Sequence, residues 1–233
     1  MRRDFDPDEL ELMDLPNPDP KDLEDDLTNL GIINRWFGGT KNMLAALGRL
    51  VAGAETFTVV DLATGYGDHP RNMVKWARGQ GKRCQVMAVD NQMDTLVMAR
   101  EASRATPEVA FIQADIRKLP FKDKATDFTF CCLALHHFSE TDVVKVLRES
   151  RRIARRGTAA MDLRRSRLAF LAVWLLTEFI LRARMTKHDA RMSIRRAFTG
   201  QELKILAHQG DWTNYEHSVL PWFQQEIRAR IPS

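Results

Sequence analysis

Val59-Val60-Asp61-Leu62-Ala63-Thr64-Gly65-Tyr66-Gly67-Asp68 is the stretch on which the fold reading turns. Phe57–Leu62 is a short, apolar, β-branched run, which predicts a strand with Asp61 near its end. Two glycines follow, and a helix is expected over Pro70–Arg78 with its proline near the start. Glycines placed between a strand and a helix let the backbone approach a ligand closely. An ordinary strand-to-helix turn has the same appearance, so the flanking sequence must decide.

Outward from this stretch the chain alternates. Strands are expected at Gln85–Asp90, Val109–Gln113, Asp127–Leu133 and Thr158–Leu163. Helices are expected at Gln92–Arg104 and Glu140–Arg155. This order points to an α/β fold, a doubly wound Rossmann-like sheet with both faces covered. Thr199–Gln209 reads as a helix with Thr199 as its cap, and Gly210 follows. Trp212–Val219 and Phe223–Ile231 then read as two strands around Pro221 with no helix between them. The expected sheet therefore has seven strands, mostly parallel, with an antiparallel last strand.

The chain has 233 residues and a formal net charge of +4, which hides an asymmetry. Residues 4–26 hold eleven Asp/Glu against Lys21, whereas residues 27–233 hold 32 Lys/Arg against 20 Asp/Glu. An acidic arm precedes a basic body. The arm has Pro7, Pro16, Pro18 and Pro20, and Leu10, Leu12, Met13 and Leu15 are its available apolar anchors. Residues 22–50 read as helical, with a break at Gly38-Gly39 and Thr40 capping a helix from Lys41 to Leu50. No apolar signal region follows the first residues. The composition excludes collagen-like, wholly disordered and disulfide-stapled chains. Cys84, Cys131 and Cys132 read as buried thiols in a reducing compartment, so a cytoplasmic location is expected. The expected division is 1–50 as acidic arm and helical cover, and 51–233 as the main domain with an insertion at about 164–196.

Two further acids turn the glycine loop into a site. Asp90 ends the second strand 25 residues after Gly65, where a carboxylate can accept from the vicinal hydroxyls of a ribose. Asp115 follows the third strand another 25 residues on, where an adenine amino group could donate to it. Each acid alone could be a helix cap. Together they outline an adenosine site at the switch point of the sheet. A dinucleotide fingerprint calls for a third glycine near position 70, and Pro70 stands there.

The pattern instead resembles class I S-adenosylmethionine-dependent methyltransferases. Their acidic-x-Gly-x-Gly-x-Gly loop reads here Asp61-x-Ala63-x-Gly65-x-Gly67, with Ala63 in place of the first glycine. Asp115-Ile116-Arg117-Lys118-Leu119-Pro120-Phe121 is similar to the family's stretch after the third strand. Asp127–Phe138 resembles the fourth strand of the ubiquinone/menaquinone-biosynthesis type, and Leu147–Gly157 the helix and turn after it. The resemblance implies S-adenosylmethionine as cofactor. It implies that Asp61, Ala63, Gly65, Tyr66 and Gly67 form the loop around the methionine part, and that Asp90 holds the ribose. Asn91 and Gln92 would flank ribose and adenine, Asp115 and the Ile116 amide would read the adenine edge, and Leu133 would border the methyl.

Methyl transfer requires that an acceptor lone pair be aligned opposite the departing sulfur and that water be excluded. A base helps when the acceptor is a hydroxyl. His136 and His137 are the candidate catalytic residues, with His188 and His217 as further candidates. The other reading of either member of the pair is a structural histidine satisfied by loop backbone. No metal is expected.

The insertion carries the apolar run Leu168–Leu181, which includes Phe170, Trp174 and Phe179. Fourteen residues rise only about 21 Å as a helix, short of a membrane span. A lid suits a small hydrophobic or aromatic acceptor, with O-methylation favoured and C-methylation next. Ile32, Ile33, Trp36 and Phe37 offer a second apolar cover. Core packing or a homodimer interface would use the same residues. Residues 148–196 hold fourteen Arg/Lys and four acids, which leaves RNA as an alternative acceptor. A non-catalytic partner protein of the same fold is the third reading.

Overall fold

The structure, a computed structural model, describes residues 1–12, 15, 38–179 and 184–232. The expected helix before Gly38, the cover from Ile32 to Phe37, and the anchor Met13 lie outside these residues.

Seven strands form one sheet: β1 Thr56–Leu62, β2 Arg83–Asp90, β3 Val109–Gln113, β4 Thr126–Cys132, β5 Ala154–Leu163, β6 Tyr215–Leu220 and β7 Gln224–Arg230. Their spatial order is β3-β2-β1-β4-β5-β7-β6. β1 pairs in parallel with β2 and β4, whereas β7 runs antiparallel to β5 and to β6. Chain order reverses between β1 and β4. Their carboxyl ends therefore open the crevice in which doubly wound sheets bind ligands.

The period-2 alternation of the strands divides the core between two faces. Phe57 and Val59 of β1, with Phe128 and Phe130 of β4, pack beneath α1 (Gly39–Leu50) and α2 (Asp68–Gly79). Val60, Leu62 and Cys131 face the other way, towards α4 (Glu140–Ile153) and α7 (Gly200–Gln209). α3 (Met93–Ala102) links β2 to β3. Trp212 is fully buried, and its indole N–H donates to the Leu147 carbonyl at 2.8 Å, which pins α4 to the chain that leads into β6.

Local chemistry sets the helix ends. Thr199 and Glu202 form a reciprocal capping box on α7. Ser139 accepts the Asp142 N–H at the start of α4. α1 starts at Gly39 and not at Lys41: Gly38 is the cap, left-handed at φ 72°, and Thr40 lies inside the helix.

The insertion folds as α5 (Arg167–Phe179) and α6 (Arg184–Arg196). Only part of the apolar run is covered. Ala169 and Thr177 are buried, whereas Leu168, Leu171, Trp174 and Leu175 face outward. Among the described residues no helix is long and apolar enough to cross a membrane.

The acidic arm lies on α6. Arg3 Nε donates to the Arg196 carbonyl at 2.6 Å, and the Leu12 N–H donates to Asp189 Oδ1 at 2.8 Å. Asp4 pairs with Arg195 at 3.4 Å, and Arg196 donates to the carbonyls of Asp6 and Glu9. Glu11 is buried, whereas Leu10 and Leu15 are exposed. Charge and backbone hydrogen bonds, not these two leucines, hold the arm.

Candidate functional site

The loop after β1 is tied to the end of β2. The Gly65 N–H donates to Asp90 Oδ2 at 2.9 Å, and the Gln92 N–H donates to Asp90 Oδ1 at 3.1 Å. Two backbone donors thus fix a nearly buried carboxylate. Gly65 is left-handed at φ 53°, and a Cβ built there would meet nothing within 4 Å. The loop therefore borders open ground. Gly67, at φ 72°, has the opposite surroundings: a Cβ there would lie 3.1 Å from the Phe111 ring. Tyr66 is anchored by its carbonyl, which accepts from Arg71 at 2.7 Å.

Asp61 is buried beneath the same loop. Thr64 Oγ1 donates to its Oδ2 at 2.7 Å, while Oδ1 is buried with no hydrogen-bond partner among the described residues. Burial pushes its carboxyl up to about 6. Ala63 is held at φ 55°, in the region where glycine is the unstrained residue.

The other cofactor candidates gather on the same edge with different surroundings. Asn91 is exposed, and its carbonyl accepts from Gln113 at 3.0 Å. Gln92 Oε1 accepts from Thr95 at 3.0 Å. Ile116 is buried. Asp115 is taken by Arg117, whose guanidinium spans both carboxylate oxygens at 2.8–3.0 Å and reaches Asp142 at 3.1 Å. That contact holds the Asp115 carboxyl below its ordinary range. Leu133 leaves β4 at φ 55°, and its N–H donates to the Met161 carbonyl.

The two histidines lie on a short 3-10 turn, Leu135–His137. The buried His136 places Nδ1 2.6 Å from Asp162 Oδ1, and its backbone N–H donates to Asp162 Oδ2 at 2.9 Å. A carboxylate there favours the tautomer in which Nδ1–H donates, which in a neutral imidazole leaves the lone pair on Nε2. Nε2 lies 3.9 Å from Glu11 Oε1, and His137 Nε2 lies 3.9 Å from Glu11 Oε2. The rings are 4.3 Å apart at the centroids. His188 and His217 do not join this group. His188 lies on Asp189 at 2.8 Å, and His217 lies on Gln225 at 3.1 Å.

Residues 59–157 match the family described as a methyltransferase domain. A structure of an S-adenosylmethionine-dependent methyltransferase from Aquifex aeolicus aligns with a TM-score of 0.65 at 20% identity, over 92% of this chain and 99% of that one. Human N-acetylserotonin methyltransferase, in complex with S-adenosylmethionine, aligns with a TM-score of 0.64 at 14% identity, over 89% of this chain and 55% of the human one. A methyltransferase from Haloferax volcanii, in complex with its Trm112 activator, aligns with a TM-score of 0.63 at 16% identity, over 92% and 95%. These likenesses concern the fold. No curated protein matches the chain.

The matched family and fold imply S-adenosylmethionine as cofactor, and the residues present fit it. No described residue fills the space beside Gly65. The unpartnered Oδ1 of Asp61 is an anionic atom that suits a cationic amino acid. The doubly anchored Asp90 suits a diol. A cavity of about 480 Å³ elsewhere is lined by Arg2, Arg3, Phe5, Glu140 and Arg165, and neither Gly65 nor Asp90 borders it.

The structure also brings in residues that sequence reasoning missed. Asp162 is the penultimate residue of β5, so an acid near a strand end was the available signal. Glu11 and Ser193 had none, since the arm reaches them only in the folded chain. The cysteines are buried as expected. Burial pushes Cys84 up to about 12 and Cys131 and Cys132 well above the ordinary thiol value, so none is a nucleophile.

Proposed function

We propose that the chain methylates a small hydrophobic or aromatic acceptor with S-adenosylmethionine, at oxygen first and at a ring carbon next. The observation that carries the reading is the Gly65–Asp90 hydrogen bond above the unpartnered carboxylate oxygen of Asp61. In this reading Asp61, Ala63, Gly65, Tyr66 and Gly67 take the methionine part and Asp90 takes the ribose. Asn91, Gln92 and Ile116 border the adenine, and Asp115 does so with Arg117 attached. Leu133 borders the transferred methyl, and His136 and His137 stand on the acceptor side. When bound, the cofactor supplies an electrophilic methyl, so the chain has only to align the acceptor and keep water out.

The outward Leu168, Leu171, Trp174 and Leu175 of α5 support an apolar acceptor or a second copy of the chain as occupant of that face. The basic stretch favours RNA less than its composition suggests. Arg152 is paired with Glu149 and Asp123, Arg155 with Asp127, Arg165 with Glu202 and Arg191 with Glu178. The buried free thiols support the cytoplasm as location. A screen of cofactor-dependent methyl transfer across phenols, quinols and RNA tests the proposal. Turnover of a phenol or quinol supports it. Turnover of RNA alone, or of nothing despite cofactor binding, overturns it.

A further inference from the structure

We propose that Glu11, His136 and His137 form a binding site for one divalent first-row transition ion of the zinc class. One donor atom from each residue lies within 4.8 Å of the other two. His136 Nε2 lies 3.9 Å from Glu11 Oε1, and His137 Nε2 lies 3.9 Å from Glu11 Oε2. That is too long for an N–H···O hydrogen bond, which ends near 3.2 Å. Donors about 2.1 Å from a tetrahedral ion stand about 3.4 Å apart. The separations of the three donor atoms reach at most 4.8 Å, so a contraction of up to about 1.4 Å closes the set around an ion.

The supporting contacts are those a metal site needs. Asp162 holds Nδ1–H of His136, so Nε2 points its lone pair at a carboxylate oxygen. In that tautomer two acceptors face each other, an arrangement that a metal cation between them satisfies. Asp162 is itself fixed, since it also accepts the N–H groups of His136 and Leu163. Carboxylate–histidine pairs of this kind orient metal ligands and raise their basicity. Ser193 Oγ donates to Glu11 Oε1 at 2.8 Å, which steadies the third ligand. Glu11 is 2% exposed and His136 3%, so the carboxylate is buried, and among the described residues Ser193 is its side-chain hydrogen-bond donor. Two imidazoles and one carboxylate select zinc, iron, cobalt or nickel over magnesium and calcium, which take oxygen ligands.

The site has a consequence for the arm. Glu11 belongs to the arm, and the histidines follow β4. An ion there ties the arm to the body and leaves a fourth position for an oxygen ligand. The site uses the two histidines that the methyl-transfer reading puts on the acceptor side; ion binding does not need that reading, and only the filling of the fourth position by an acceptor hydroxyl rests on it.

The test uses the full chain, stripped by a chelator and then dialysed against zinc or cobalt. Elemental analysis should find one ion per chain, and the cobalt form should show the visible absorption of a tetrahedral site. Glu11→Gln and His137→Asn should each bind at least about tenfold more weakly, and Asp162→Asn about tenfold. Glu9→Gln, which removes a neighbouring charge of the arm, should bind as the wild type does. Melting in chelator shows which variants are folded; any that is not is replaced by His136→Asn or Glu11→Ala. Substoichiometric uptake by the wild type, or equal uptake by folded Glu11→Gln, overturns the proposal. Calorimetry of the same proteins with S-adenosylmethionine separates failure of this site from failure of the cofactor reading.

Discussion

Thr64 Oγ1 donates to Asp61 Oδ2 at 2.7 Å, and the other oxygen of Asp61 stays buried with no partner among the described residues. Burial raises the carboxyl from 3.8 to about 6 in the folded chain. Between those values the folded state keeps a proton that the unfolded state has released. The stability from this group is complete below the unfolded value and is lost as pH rises through the folded one. Asp61→Asn should therefore stabilise the cofactor-free chain above pH 6, on the order of 1–2 kcal/mol, with no gain below about pH 4. Chemical denaturation at both pH values measures this, and an equal effect at the two contradicts it.

Ala63 sits at φ 55° where the resembling loops carry glycine. The left-handed region costs a side chain about 1 kcal/mol, and glycine's greater freedom in the unfolded chain returns part of that. Ala63→Gly should leave stability unchanged or raise it by up to about 1 kcal/mol, whereas Ala63→Val should lower it by about 1–2 kcal/mol. Thermal melts decide, and a destabilising glycine would show that the loop does not hold this conformation.

Arg3 donates to the Phe138 carbonyl at 2.7 Å and stacks on Phe198 at 3.9 Å, besides its bond to Arg196. Its removal should release the arm without unfolding the sheet. Arg3→Ala should speed amide exchange in residues 1–12 and in the 3-10 turn, and should lower local stability by about 1–3 kcal/mol. Unchanged exchange would contradict the docking of the arm.

Paired arginines attract phosphates weakly. Binding to RNA at about 150 mM salt should be no tighter than the non-specific range of about 10⁻⁴–10⁻⁶ M. Filter binding across a salt series checks this. Tight binding with a steep salt slope would return RNA to the front.

Periodicity and turn chemistry carried most of the fold. β3 occupies the residues expected of it, and the antiparallel last strand and the Thr199 cap were both legible, because they depend on neighbours in sequence. The positions of Asp61 and Asp90 near strand ends were legible, because they follow from the strand pattern. The site was not legible where the partner is distant or unexpected. Arg117 sits two residues from Asp115 and takes its carboxylate, a pairing that composition does not announce. Glu11 meets His136 across 125 positions, and only the docked arm brings them together. The α5 run read as a lid, with core packing or a dimer interface as the alternative, and Leu168, Leu171, Trp174 and Leu175 face outward; hydropathy does not say what an element packs against.

The central claim is that the loop and Asp90 hold S-adenosylmethionine, and calorimetric titration of the full chain tests it most directly. The wild type should bind one equivalent. Asp90→Asn should bind at least about tenfold more weakly, since charge-assisted hydrogen bonds to the ribose are each worth about 1.5–3 kcal/mol. No binding by the wild type, or equal binding by folded Asp90→Asn, would contradict the account.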